Sequence, residues 1–469
     1  MNQTREKKLI KNTIIIAIGK MSTQIISFLL LPLYTSILAT EEYGVYDLIV
    51  AIATFIIPLI TILMEDSMFR FLIDCKDDKE KKKVITQTTI YVVISSVIFL
   101  LIAMIIGNIV KIKYLSLGIV YIITCVITYL RNSLLRGMGK IGYYTGINFI
   151  TSIIDIILKV IFIAVLRYGV YGLILSSVFA NIVTSLYVFI NLKLYKYISI
   201  KEYDKKLMKK MVKYSVPLVP NSLSWAIINL SDRVVISSMI NTGANGIYSM
   251  AYKFPNMMDT IYRFFYTAWQ ESSARAIKDK DKDKDEFFSN IYIVLNKIMF
   301  SVSISIIVCM PLIFNIFIKQ AYQDAYLYIP ILVIAIYYNN MAGFYEGIFS
   351  GYKDTKIIGK TTIIGAVLNI VLDLILINFI GIYAAAISTL VSCMFIYFCR
   401  KNKVKKYANL KSPNLISGFM ILIMTLICYY INQNIIIKIL NLIIVVIYVF
   451  ILNKDLLFRF KRKIKIREL

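Results

Sequence analysis

The sequence predicts an all-α polytopic membrane protein of about 14 transmembrane helices. Three observations carry this. Of 469 residues, 59% are hydrophobic and only 17% charged, too little polar surface for a water-soluble fold of this length. Apolar runs long enough to cross a bilayer follow one another from end to end. The loops on one side are crowded with lysine and arginine, and those on the other are nearly bare.

Run length and periodicity place the spans at 12–38, 43–64, 84–107, 114–131, 142–166, 169–193, 213–240, 245–268, 287–316, 326–349, 355–378, 380–399, 413–431 and 434–452. Lys7, Lys8 and Lys11 precede the first run, which is long and lacks a small-residue cleavage site. That helix is therefore expected to stay in the protein, with the N-terminus in the cytoplasm. Basic segments lie at 5–11, 76–83, 131–140, 193–213, 275–284, 400–411 and 454–467, all on one side if the count holds. They contain roughly forty Lys and Arg against about four opposite, so the positive-inside rule puts both termini in the cytoplasm. One added or missing helix would scramble this alternation. The outward loops at 39–42, 108–113, 240–245 and 319–324 are too short to hold a domain. The segment 278–286, KDKDKDKDE, is expected to be a solvated connector.

Composition also excludes several classes. The net charge of +26 sits in loops between apolar runs, as expected for anchoring beside anionic membrane lipid and not for nucleic-acid binding. Histidine is absent, which removes the usual general base and the commonest metal ligand. The six cysteines form no CxxC pair. No Walker A sequence, Gly-x-Ser-x-Gly, zinc site or conspicuous pair of loop carboxylates is present. What remains is a transporter-like, non-enzymatic chain.

The chain repeats itself. Glu42-Tyr43-Gly44-Val45-Tyr46 opens the second span and Ala244-Asn245-Gly246-Ile247-Tyr248 the eighth. Tyr168-Gly169-Val170-Tyr171 opens the sixth and Ile380-Gly381-Ile382-Tyr383 the twelfth. Arg136-Gly137-Met138-Gly139-Lys140 precedes the fifth, and Ser350-Gly351-Tyr352-Lys353 the eleventh. The offset is even in helices, so the halves share orientation: a parallel repeat. The expected organisation is a six-helix lobe at 1–193, a cytoplasmic linker at 194–212, a second lobe at 213–400, and two appended helices with a basic tail at 401–469.

Charge inside a bilayer is costly and marks function by default. The candidates for substrate binding are Lys20, Asp155, Lys159, Asp232, Arg233, Lys253 and Lys297, with Asn339 and Asn340 of the mid-span run Tyr337-Tyr338-Asn339-Asn340. Asp155 and Lys159 are four apart and can neutralise each other on one helix face, but both lie well inside their span. Lys20, Arg233, Lys253 and Lys297 are deep and lack a carboxylate four residues away. Asp232 and Arg233 are adjacent, so they point apart and need partners on other helices. Asp47, Arg263, Glu346 and Lys360 lie near span ends, where long side chains can snorkel, and Asp259 sits four residues before Arg263. The last two spans are almost free of charge, so a wet cavity is expected within the repeated halves. Aromatic rings beside amides in span 10 suit a sugar.

Three stretches carry a family resemblance. One runs from Lys11-Asn12-Thr13 through Leu31-Pro32-Leu33-Tyr34-Thr35 to Glu41-Glu42-Tyr43-Gly44-Val45-Tyr46. Another is Tyr214-Ser215-Val216-Pro217-Leu218-Val219-Pro220, then Ser231-Asp232-Arg233 and Gly246-Ile247-Tyr248. The third is Arg136-Gly137-Met138-Gly139-Lys140. With two six-helix halves and a basic central loop, the chain resembles the Wzx-type polysaccharide flippases of the multidrug/oligosaccharidyl-lipid/polysaccharide exporter superfamily. The resemblance implies two lobes around a central cavity and a polyprenyl-pyrophosphate-linked oligosaccharide moved from inner to outer leaflet of a bacterial cell membrane. Cationic residues such as Lys20, Arg233, Lys253 and Lys297 would meet the pyrophosphate. It implies no cofactor, and polysaccharide polymerase machinery as a partner; proton or sodium coupling through Asp155, Asp232 or Asp373 is left open by the sequence. A lipid II flippase, a drug/cation antiporter of the same fold and a membrane polysaccharide polymerase are the alternatives. The deep basic residues argue against the antiporter, and the lack of a catalytic loop against the polymerase.

Overall fold

The computed structural model describes residues 30–109, 113–278, 283–352, 354–411, 413–431 and 434–455. They form sixteen α-helices, with no strand among the described residues. Ten are long and apolar enough to cross a membrane, as expected of an all-α polytopic membrane protein. Most of the first expected span, with Lys20, lies outside the described residues. The chain packs as two compact units, Met1–Ser237 and Ser238–Leu469.

The first unit contains α1 (Leu31–Ile37), α2 (Thr40–Thr61), α3 (Met64–Asp74), α4 (Asp78–Ile109), α5 (Leu115–Gly137), α6 (Ile141–Lys159), α7 (Gly169–Asn191), α8 (Lys205–Ser215) and α9 (Val219–Met239). The second expected span runs through Leu63 to residue 64, but the helix stops at Thr61. Ile62 and Leu63 are left-handed, with φ of 44° and 57°, a conformation costing a bulky residue about 1–2 kcal/mol. The chain restarts as α3, and α6 passes into a π-helical turn over Val160–Val165. The linker is not slack. Thr86 on α4 donates to the Tyr197 carbonyl and accepts from the Ser199 amide, and Gln87 donates to the Glu202 carbonyl. Asp204 then caps α8 by accepting from the Lys206 and Leu207 amides at 2.9 and 3.1 Å.

The second unit contains α10 (Thr242–Lys278), α11 (Lys284–Phe317), α12 (Ala325–Gly351), α13 (Thr355–Ile380), α14 (Tyr383–Val404), α15 (Ile416–Tyr430) and α16 (Ile435–Leu452). The repeat expected from sequence recurs as packing. In the first unit α5 packs on α3 and α7, and α6 on α7; in the second, α12 packs on α10 and α14, and α13 on α14. Gly169 and Gly381, at matching turns, both have positive φ, 52° and 56°, which glycine adopts without steric cost. Small residues set the closest approaches. A Cβ at Gly137 would lie 2.8 Å from Leu72 of α3, and one at Gly351 would lie 2.6 Å from Ile277 of α10. Gly343, Gly347 and Gly351 form one stripe on α12, with Tyr262 and Trp269 of α10 seated over the first two. Trp269 stacks on Phe344 at 4.3 Å and donates its Nε1–H to the Phe344 carbonyl. The last two helices, α15 and α16, pack on α11 and keep side chains such as Met420 and Ile447 exposed.

Candidate functional site

In the first unit the polar side chains gather on α2. Tyr46 and Asp47 are neighbours there, and each receives a cation from another helix. Arg233 of α9 places Nε 2.6 Å from Asp47 Oδ2 and also donates to the Asn229 carbonyl. Lys159 of α6 lies 5.8 Å from the Tyr46 ring centroid and 2.6 Å from Asp155 Oδ2. Ser177 of α7 donates to the other Asp155 oxygen at 2.8 Å. Tyr43 bridges Tyr46 and Tyr34 by ring contacts of 6.0 and 6.3 Å. Of the expected site residues, Asp155 and Lys159 thus meet α2 at Tyr46 and Arg233 meets it at Asp47, as two separate pairs, since adjacent helical residues point apart. Asp232, on the other side of α9, is 2% exposed. Asp47, placed near a span end in the sequence reading, is the carboxylate that Arg233 uses.

Both ion pairs are nearly out of water: the Arg233 and Lys159 side chains are each 10% exposed. Such pairs are held only where hydrogen bonds complete them, and the Asn229 carbonyl and Ser177 hydroxyl supply these. Each cation already faces an anionic oxygen pair. A phosphate group offers an acceptor geometry like that of each carboxylate.

The expected residues of the second unit do not form one cluster. Lys253 on α10 and Lys297 on α11 are half-buried. Asn340 is 1% exposed, with Nδ2 4.0 Å from Met299 Sδ; Asn339 is half-buried. Asp373 is fully buried and accepts from Ser388 Oγ at 2.5 Å, and Asn369 donates to Ser388 and Thr389. Asp259 and Arg263 pair at 2.7 Å, with Arg263 76% exposed.

Two buried arginines were missed, because both fall in segments counted as basic loops. The helices run further than expected, α5 to Gly137 and α14 to Val404. Arg131 is 5% exposed and donates to Thr184 and Ser185 of α7 and Asn148 of α6. Arg400 is 1% exposed and meets Glu346 Oε2 at 3.1 Å, with Thr361 and Thr362 of α13 accepting its other N–H groups. Tyr266 of α10 closes that network on the second Glu346 oxygen. Each unit thus ties three or four helices together with one arginine at its lysine-rich end. Glu65 was also missed: it is 4% exposed at the start of α3, where Thr61 donates to Oε1 at 3.2 Å.

A helical repeat carrying buried ion pairs defines the class: a multi-pass membrane protein with the fold of transporters and lipid flippases. The second unit's length matters here, since the likeness to the lipid II flippase MurJ in an inward closed conformation covers 95% of this chain and 100% of that one (TM-score 0.73, 16% identity). An inward-facing multidrug resistance MATE family transporter of the MOP superfamily is matched over 84% of this chain and all of its own (TM-score 0.69, 17% identity). In sequence, the chain is 26% identical over 418 residues to an uncharacterized membrane protein of Methanocaldococcus jannaschii, covering 83% of this chain and 96% of that one. Residues 9–269 match the polysaccharide biosynthesis protein family, and the chain belongs to it.

Proposed function

We propose that the protein flips a polyprenyl-pyrophosphate-linked oligosaccharide from the inner to the outer leaflet of the cell membrane, for surface polysaccharide assembly. The observation that carries this reading is the pair of nearly buried cations at α2, Arg233 against Asp47 and Lys159 against Asp155 and Tyr46, in a chain of the polysaccharide biosynthesis family. The sugar-diphosphate head cannot cross hydrocarbon unaided. A polar path replaces its water while the polyprenyl tail stays in lipid, and rocking between the repeats exposes the path to each side in turn. With both termini cytoplasmic, an inside-negative potential favours outward movement of the anion by about 2.3 kcal/mol per charge per 100 mV.

Arg233→Ala and Lys159→Ala should abolish glycan export while the protein's level in the membrane stays near normal. Arg233→Lys should restore export only in part, since an ammonium cannot make the paired contact of a guanidinium. Normal surface glycan in both alanine variants would refute head-group binding by these residues.

A second reading is lipid II transport, favoured by the 95% coverage in the MurJ likeness against 84% for the multidrug transporter. Proteoliposomes offered lipid II or a peptide-free lipid-linked oligosaccharide separate the two: faster flipping of lipid II would select the second reading.

A further inference from the structure

The second unit contains a cavity that the α2 cluster does not involve. Its volume is about 420 Å³, and it lies at the lysine-rich end, between α11, α12, α14 and the chain leading into α15. Tyr292, Asn296, Tyr338, Phe398, Lys401 and Asn414 line it. A narrow apolar crevice of about 20 Å³ shares Tyr337, Tyr338 and Phe419 with it, and is walled by Phe300, Ile304, Ile334 and Leu422. From Ile416 to Leu422 the two follow one edge of α15 for about 9 Å.

The hydroxyls of Tyr292, Tyr337 and Tyr397 are spoken for. Tyr337 donates to Asn296 Oδ1 at 2.8 Å, Tyr345 donates to Tyr292 at 2.9 Å, and Tyr292 and Tyr397 share a hydrogen bond of 3.0 Å. The charged group at the cavity is Lys401, whose ammonium lies 5.8 Å from the Tyr397 ring centroid. Among the described residues no carboxylate pairs with it. Lys403, Lys405 and Lys406 follow on the same helix end. Nearby carboxylates are engaged elsewhere: Glu346 by Arg400, Asp285 by the Asn409 amide and Asp354 by Tyr407.

We infer that this cavity binds an anionic phospholipid of the adjoining leaflet, its phosphate at Lys401 and one acyl chain lying along the mouth of the crevice past Phe419. The wide aromatic mouth and narrow apolar continuation match the two ends of an amphiphile. One unpaired cation on a basic rim matches one phosphodiester charge. Phe419, 44% exposed, lies where the crevice meets the outer surface of α15, so a chain can enter from lipid. The inference does not depend on what the protein transports.

Native mass spectrometry of the full chain in detergent, with phosphatidylglycerol and phosphatidylcholine in competition, tests it. Phosphatidylglycerol should be retained about tenfold better, because phosphatidylcholine carries the same phosphodiester but adds a choline cation that Lys401 and the basic rim repel. Lys401→Gln should remove that preference. Ile334→Trp, which fills the crevice, should lower retention of both lipids, while Lys438→Gln, remote from the cavity, should change nothing. Equal retention of the two lipids by the unaltered chain, or unchanged retention in both cavity variants, would overturn it. So would displacement by free glycerol phosphate, which would make the site one for soluble phosphate. Displacement by polyprenyl phosphate at equimolar concentration would overturn it too, by assigning the cavity to a polyprenyl carrier.

Discussion

Glu65 is a carboxyl whose burial changes its chemistry. The α2 span ends at Thr61, and Glu65 follows the left-handed break, with Oε2 buried and no hydrogen-bond partner among the described residues. Burial pushes its pKa from 4.5 up to about 7, while the Thr61 hydroxyl opposes the shift. Below pH 4.5 the carboxyl is protonated whether the chain is folded or not. Between there and pH 7 the unfolded chain releases its proton and the folded one retains it, so stability falls as pH rises, and above pH 7 the loss is complete. Glu65→Gln should therefore raise the thermal midpoint in detergent at pH 8, by at most about 3 kcal/mol of stability, and leave it nearly unchanged at pH 4.5. An equal gain at both values would assign the effect to packing. Of the charged residues, those in mid-span were legible because a charge among twenty apolar residues is conspicuous. Glu65, Arg131 and Arg400 were not, because a residue at the edge of a basic segment has the same local sequence whether it faces water or a helix interface.

Existence and order of the helices were legible for the same reason, and their ends were not. Lipid-facing runs announce themselves by composition, but α5 and α14 continue past their apolar stretch because each carries an arginine that neighbouring helices satisfy. The break at Ile62–Leu63 had no signal at all, since neither glycine nor asparagine stands there. The α12 stripe did have one: Gly343, Gly347 and Gly351 recur every four residues, the spacing that lets helices approach in lipid. Gly347→Val should lower stability by about 1–3 kcal/mol, the usual range for overpacking, because its side chain would enter the space of the Trp269 indole. Gly359→Ala on α13 meets nothing within 4 Å and should be neutral or gain up to about 1 kcal/mol. Thermal unfolding of both variants checks the pair; equal midpoints would mean that α10 and α12 are less closely packed than the glycine stripe requires.

At the scale of the molecule, the lysine asymmetry makes a single orientation the expected one. Cysteines placed within 76–83 or 201–210 should be shielded from an impermeant thiol reagent in intact cells, and one at Thr242 should react. Labelling of the lysine-rich loops with none at Thr242 would reverse the protein in the membrane. Of the four Gly-x-Tyr sites that suggested a repeat, Gly169 and Gly381 have positive φ, which favours glycine, while Gly44 and Gly246 lie inside helices and have no such requirement. One feature of the second repeat has an optical use. The chain has two tryptophans, and Trp269 is 2% exposed, held between α10 and α12 by its stack on Phe344 and its bond to that residue's carbonyl. With Trp225 replaced by phenylalanine, the remaining indole becomes a native fluorophore. Its emission would shift to longer wavelength whenever those two helices part, so their separation can be followed in real time without attaching a dye.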